Sequence, residues 1–195
     1  MSRKIRPYER LTLFQSGFAV ALRELGFGSY LVGMHKKYRY PSIRSIDLEA
    51  CSAVECLNLG LACAVPGEVI IKIGRSYQRV EVEILATYEA LMQRALHAGA
   101  MKLDGYCSED DVEVSQRVQH LSEFTLSRAV SFIHEPFNWQ MVLGMNERLY
   151  SRVRLEGEKL DEAFKETEAV LKFGDEPLQR PSEQAGRFGA ISFDD

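Results

Sequence analysis

The chain has 195 residues, 46% of them hydrophobic and 27% charged, a length and balance that suit one domain with a substantial core and exclude global disorder. Its formal net charge of −4 conceals an asymmetry: up to Arg44 nine Lys and Arg stand against two Glu, and from Ser45 onward fifteen basic residues stand against twenty-six acidic ones. No apolar run of signal-peptide length follows the basic start, and no stretch reads as the ~20 apolar residues of a membrane span, so a cytoplasmic protein with no membrane contact is expected.

The first element spans residues 8–25, where Leu11, Phe14, Phe18, Ala21 or Leu22, and Leu25 recur at helical spacing and Gly26 stands where a C-terminal cap belongs. Tyr30 to Met34 is a short apolar run that reads as strand or helix, followed by a basic, aromatic-rich stretch that Pro41 ends. A second helix is expected over residues 46–64, with Ser45 as its cap and Pro66-Gly67 as a turn after it. The β-branched run at 68–73 then reads as a strand, and Val80 to Ile84 alternates like its hairpin partner before a helix takes over near Leu85 and ends at Gly99.

A fourth helical stripe begins after Ser108, which with Asp111 resembles a capping box, and runs through Val114, Val118, Leu121, Leu126, Ala129 and Ile133 to Pro136. One apolar line from Val142 through Leu149, Val153, Leu160 and Phe164 to Leu171 predicts a last helix over 138–172, a rod of roughly 50 Å that Glu156-Gly157 kinks or splits. The fold class is therefore mostly α, with α+β as the alternative: a helical bundle carrying a small β-hairpin or short strands around 68–84. Residues 1–173 form the expected domain with its basic N-terminal arm, and residues 174–195 an extended acidic and aromatic tail.

No phosphate loop, dinucleotide fingerprint, nucleophile elbow or zincin motif occurs in the chain. His134-Glu135 is the one adjacent pair suited to acid–base work, but the end of a helix accounts for it as well. Four His and four Cys lack metal-ligand spacing, so no metal and no cofactor is expected. Cys51 and Cys56, placed on one helix, lie about 140° apart, and Cys56 and Cys63 two turns, roughly 10 Å, apart. That geometry makes Cys51, Cys56, Cys63 and Cys107 reduced core thiols rather than a disulfide framework.

Two segments are suited to binding. Arg3, Lys4 and Arg6, together with Lys36, Lys37, Tyr38, Arg39, Tyr40 and Arg44, interleave cations with rings, as phosphate- and base-contacting segments do. In the tail, Phe188, Ile191 and Phe193 are spaced apolar anchors ahead of Asp194 and Asp195, a pattern suited to docking into a groove with a basic rim. The leading expectation is a non-enzymatic assembly or adaptor protein whose opposite-charged ends contact a protein partner or further copies of itself in a homo-oligomer. The alternative is a nucleic-acid-associated or regulatory protein using 3–6 and 35–44. An enzyme with a site built from scattered residues comes third.

Overall fold

The computed structural model describes residues 6, 8–74, 80, 82–99 and 111–173. Within them the chain is mostly helical, with a small three-stranded antiparallel sheet. Helix α1 (Glu9–Glu24) leads through a 3-10 turn (Gly28–Tyr30) into β1 (Leu31–His35) and β2 (Ser42–Ile43). A second 3-10 turn (Leu48–Ala50) precedes α2 (Ala53–Lys72), α3 (Val82–His97), α4 (Asp111–His134) and α5 (Pro136–Arg152). Strand β3 (Arg154–Glu156) and α6 (Glu158–Phe173) follow. Helix α2 packs against α1, α3 and α4, and α5 against α1, α4 and α6. The expected capping residue Ser108 and the thiol Cys107 lie outside the described residues, as do Arg3, Lys4 and the tail anchors Phe188, Ile191, Phe193, Asp194 and Asp195.

Helix α1 ends as its pattern predicts. Beyond the cap residue Leu25, the Gly26 amide donates to the Arg23 carbonyl (3.2 Å) and the Phe27 amide to the Leu22 carbonyl (2.7 Å). Gly26 adopts φ 92° to do so, the glycine-terminated helix end in which the closing residue also buries an apolar side chain, here Phe27 on the core.

Helix α2 corrects two expectations. It starts at Ser52, not Ser45: the Ser52 hydroxyl accepts from the Glu55 amide (3.3 Å), and the Glu55 carboxylate accepts from the Ser52 amide (2.8 Å). The Ser52 hydroxyl and amide hold the Glu55 carboxyl below the usual carboxylate range. The helix then passes straight through Pro66-Gly67 and takes in the expected strand at 68–72. Every residue from 59 to 70 is buried, so the segment carries no amphipathic rhythm, and a run of β-branched residues buried all round looks alike in strand and helix. Proline in an exposed helix interior costs about 3 kcal/mol; the packing of α1, α3 and α4 on three sides offsets it.

Read as one helix, Ala53–Lys72 is also long and apolar enough to cross a membrane, with a mean hydropathy of 1.6. This corrects the expectation that no such stretch exists, which came from breaking the segment at Pro66. Of the apolar window, 72% is buried inside the fold, as a core helix requires.

The β element is correspondingly elsewhere. Its order is β2-β1-β3, with Met34 opposite Leu155 and His35 opposite Arg154. Met34 and Leu155 are buried beneath it. In place of a hairpin partner, residues from Val82 on are already helical, and the helical reading of Tyr88, Leu91 and Ala95 gives the buried face of α3.

The long C-terminal line is split rather than kinked. α5 ends at Arg152, β3 crosses to the sheet, and α6 returns against α5, so Val142, Leu149, Leu160 and Phe164 stay on one core although two helices carry them. Lys72 ties the junction of α4 and α5: its ammonium donates to the Ile133 carbonyl (2.8 Å) and lies 4.7 Å from the Trp139 ring.

Val153, at the split, has φ 68° and ψ −37°, a region that β-branched residues avoid. Its amide donates to the Leu149 carbonyl (2.9 Å) and its carbonyl accepts from the Lys36 amide (2.8 Å), so both sides hold the conformation. Val153→Gly should therefore raise stability by about 1 kcal/mol, the relieved strain exceeding the entropy that glycine adds to the unfolded chain. A urea titration reads this directly, and a lower midpoint would mean that the valine is unstrained.

Candidate contact surface

The basic stretch folds into a tight turn. The Tyr38 amide donates to the His35 carbonyl (2.9 Å), which places Lys36 and Lys37 at the two corners. The Lys37 amide donates to His35 Nδ1 (3.2 Å), and the Tyr38 ring stacks on the His35 ring with centroids 4.5 Å apart. Beneath the turn lies Gln15 of α1, with no exposed surface. Its amide nitrogen donates to the carbonyls of His35 (2.7 Å) and Tyr38, and its amide oxygen accepts from the His35 amide (3.1 Å). One buried side chain thus satisfies three backbone groups of the turn.

The predicted cations divide into two sets. Arg6 is committed inward: it pairs with Glu147 (2.5 Å) and Glu9 (3.2 Å), and its guanidinium lies 4.2 Å from the Tyr150 ring centroid. Glu147, above all, raises its pKa. The Lys36 ammonium sits 3.8 Å from the same ring and donates to the Tyr150 carbonyl (3.3 Å) at the C-terminal end of α5. Lys37, Arg39 and Arg44 are exposed, although Arg39 also leans over Phe14 and Tyr40, 5.8 and 5.9 Å from their centroids. Tyr40 is half-buried edge-on to Phe14 (5.3 Å), while Tyr38 keeps 61% of its surface exposed.

Sequence reasoning missed four members of this region. Arg154 stands opposite His35 in the sheet, paired with Glu156 at 2.6 Å, and adds a cation beside the turn. Gln15, Glu147 and Tyr150 fix the turn and Arg6. Gln15 carries no signal that separates it from a surface glutamine; Glu147 and Tyr150 reach the basic residues only through tertiary folding.

The other candidates take ordinary helix-end roles. His134 Nδ1 donates to the Val130 carbonyl (2.8 Å), and Glu135 is the exposed residue ahead of Pro136 at the start of α5. Among the described residues no three His, Cys, Asp or Glu side chains gather as a metal site would need. Cys56 and Cys63 are buried, but Cys51 is half-exposed. It lies ahead of α2 rather than on it, so the angle computed for a shared helix does not apply. No protein-family model matches the chain, and no curated protein matches it.

Proposed function

We propose that the chain is a non-enzymatic assembly or adaptor protein that docks its basic turn onto an acidic protein surface, in the first instance that of another copy. What carries the reading is Gln15. A primary amide buried at 0% exposure is costly unless its groups are bonded, and here it holds the backbone of an exposed turn in one shape. A turn fixed before binding loses little entropy when a partner arrives. The fixed tip presents Lys37, Tyr38 and Arg39, and the chain beyond Ser45 is strongly acidic, so every copy supplies both halves of a charge-complementary contact. Such a contact is heterologous and builds rings or open chains rather than a two-fold dimer.

A nucleic-acid reading comes second. Two of the cations that would meet phosphate, Arg6 and Lys36, are occupied internally. Its support is Tyr38, an exposed ring flanked by Lys37 and Arg39, which is a stacking platform for a base.

Light scattering behind size exclusion, at low and high salt, separates the two. The wild type should exceed monomer mass at low salt and approach it at high salt. The double variant Lys37→Glu, Arg39→Glu should stay monomeric with unchanged far-UV circular dichroism. A wild type that is monomeric throughout overturns the assembly reading. Salt-sensitive binding of a single-stranded oligonucleotide, lost in the variant, would establish the second reading instead.

A further inference from the structure

The start of α2 brings two thiols together. Ser52 is the cap, so Cys51 is the residue before it and Cys56 the fourth residue of the helix. These positions face each other across the first turn, where an apolar pair commonly fixes the entry of the chain. In this protein both are cysteines, and each thiol perturbs the ionisation of the other across that turn. The Cys51 thiol in turn donates to the Asp47 carbonyl (3.4 Å). Cys51 is half-exposed and Cys56 has no exposed surface. The arrangement is therefore one accessible sulfur backed by one sheltered sulfur, both held by a capping box that stiffens the backbone between them.

We infer that Cys51 and Cys56 form a reversible dithiol–disulfide site, in which Cys51 attacks a small-molecule disulfide such as oxidised glutathione and Cys56 resolves the product. In the first step the Cys51 thiolate bonds to one sulfur of the small disulfide. The S–S bond of that molecule breaks, and the departing thiolate takes up the proton that Cys51 gave to solvent. In the second step Cys56 loses its proton and bonds to the Cys51 sulfur, expelling the second small thiol. The two protein thiols together give up two protons and two electrons, and the small disulfide becomes two thiols. Closing the bond brings the two sulfurs to ~2 Å, which the facing positions on either side of the Ser52 cap favour.

The neighbourhood sets the rate. Burial raises the Cys51 and Cys56 thiol pKa values, with Glu55 and Asp47 adding to the rise at Cys51, while Arg94 opposes it at both. Reaction is thus slow at neutral pH and accelerates in alkali, as a structural pair would and an activated catalytic thiol would not. Cys63 is the internal control: it is enclosed by the core, and burial pushes its thiol up to about 12.

The bond would also reach beyond α2. Arg94 of α3 donates to the Glu49 carbonyl (2.5 Å) and lies 3.6 Å from the Glu49 carboxylate. Oxidation therefore fastens the segment that α3 grips to the first turn of α2.

The test uses the full chain with Cys107→Ser as background, folded, in mildly alkaline buffer with oxidised glutathione. Intact mass and peptide mapping should show a Cys51–Cys56 link, two thiols lost, no retained glutathione, and full recovery with dithiothreitol. Adding Cys56→Ala should stop the reaction at one glutathione on Cys51. Adding Cys51→Ser should leave Cys56 and Cys63 unmodified, with the fold checked by circular dichroism. Stable glutathione on Cys51 in the background protein, or two thiols that survive while an exposed model thiol is consumed, would overturn the inference.

Discussion

Replacing Gln15 by Leu should lower stability by roughly 2–4 kcal/mol: the His35 carbonyl keeps the Tyr38 amide, but the His35 amide and the Tyr38 carbonyl lose their partner, and each backbone group left unpaired costs about 1–3 kcal/mol. Leucine fills a similar space, so packing changes little and the loss reports on the bonds to His35 and Tyr38. For a chain of this size the melting temperature should fall by about 5–15 °C. Amides of the 35–38 turn should exchange with solvent faster than those of α2, and self-association should weaken although no residue of the contact has changed. Gln15→Glu should be at least as damaging, since a carboxylate cannot donate to the two carbonyls. A Leu variant as stable as the wild type would mean that the turn holds itself, and the argument from preorganisation would fall with it.

The second large effect is expected at Gly17, where α1 crosses α2. A first side-chain carbon there would lie 2.7 Å from Val69 Cγ2, with the Pro66 Cα behind it at 3.6 Å. Neither can retreat: Val69 is branched at Cβ and fully buried, and Pro66 is backbone in the middle of the core helix. Gly17→Leu should cost about 3 kcal/mol or more through overpacking. Gly17→Ala should cost distinctly less, because it brings only the first side-chain carbon to that contact and about 1 kcal/mol of regained helix propensity offsets part of the clash. Urea titrations of both variants measure the difference. Equal, small losses would show that the two helices can slide apart.

What the sequence reveals follows from where each element meets solvent. α3 meets solvent along one side, so its apolar residues repeat at helical spacing, and Gly26 and Gly99 mark the ends of α1 and α3. α2 is enclosed from 59 to 70, and with no solvent side the only remaining signals were Pro66-Gly67 and β-branching, which point the wrong way. The line from Val142 to Leu171 holds for Val142, Leu149, Leu160 and Phe164, which are buried, and fails at Val153, which is exposed at the split; it is silent on the fact that α6 turns back, because both halves face the same core. At the candidate surface the cations were legible as a run of charge. Their fates were not: Arg6 meets Glu147 across 141 residues and Lys36 meets Tyr150 across 114. Local pattern cannot tell a cation that faces solvent from one that folding will cover.

Tyr150 joins three parts of the chain that are otherwise remote: Arg6 ahead of α1, the basic turn through Lys36, and the end of α5 that carries the ring. Two cations on one ring share a single, partly polarised contact, each worth about 0.5–2 kcal/mol according to its desolvation. Anything that draws Lys36 outward changes the field at the ring and hence the hold on Arg6, and by thermodynamic reciprocity a change at residue 6 alters the turn by the same free energy. Arg6 and the 35–38 turn therefore answer to one another through the Tyr150 ring. Modifying the one is a way to tune the other at a distance.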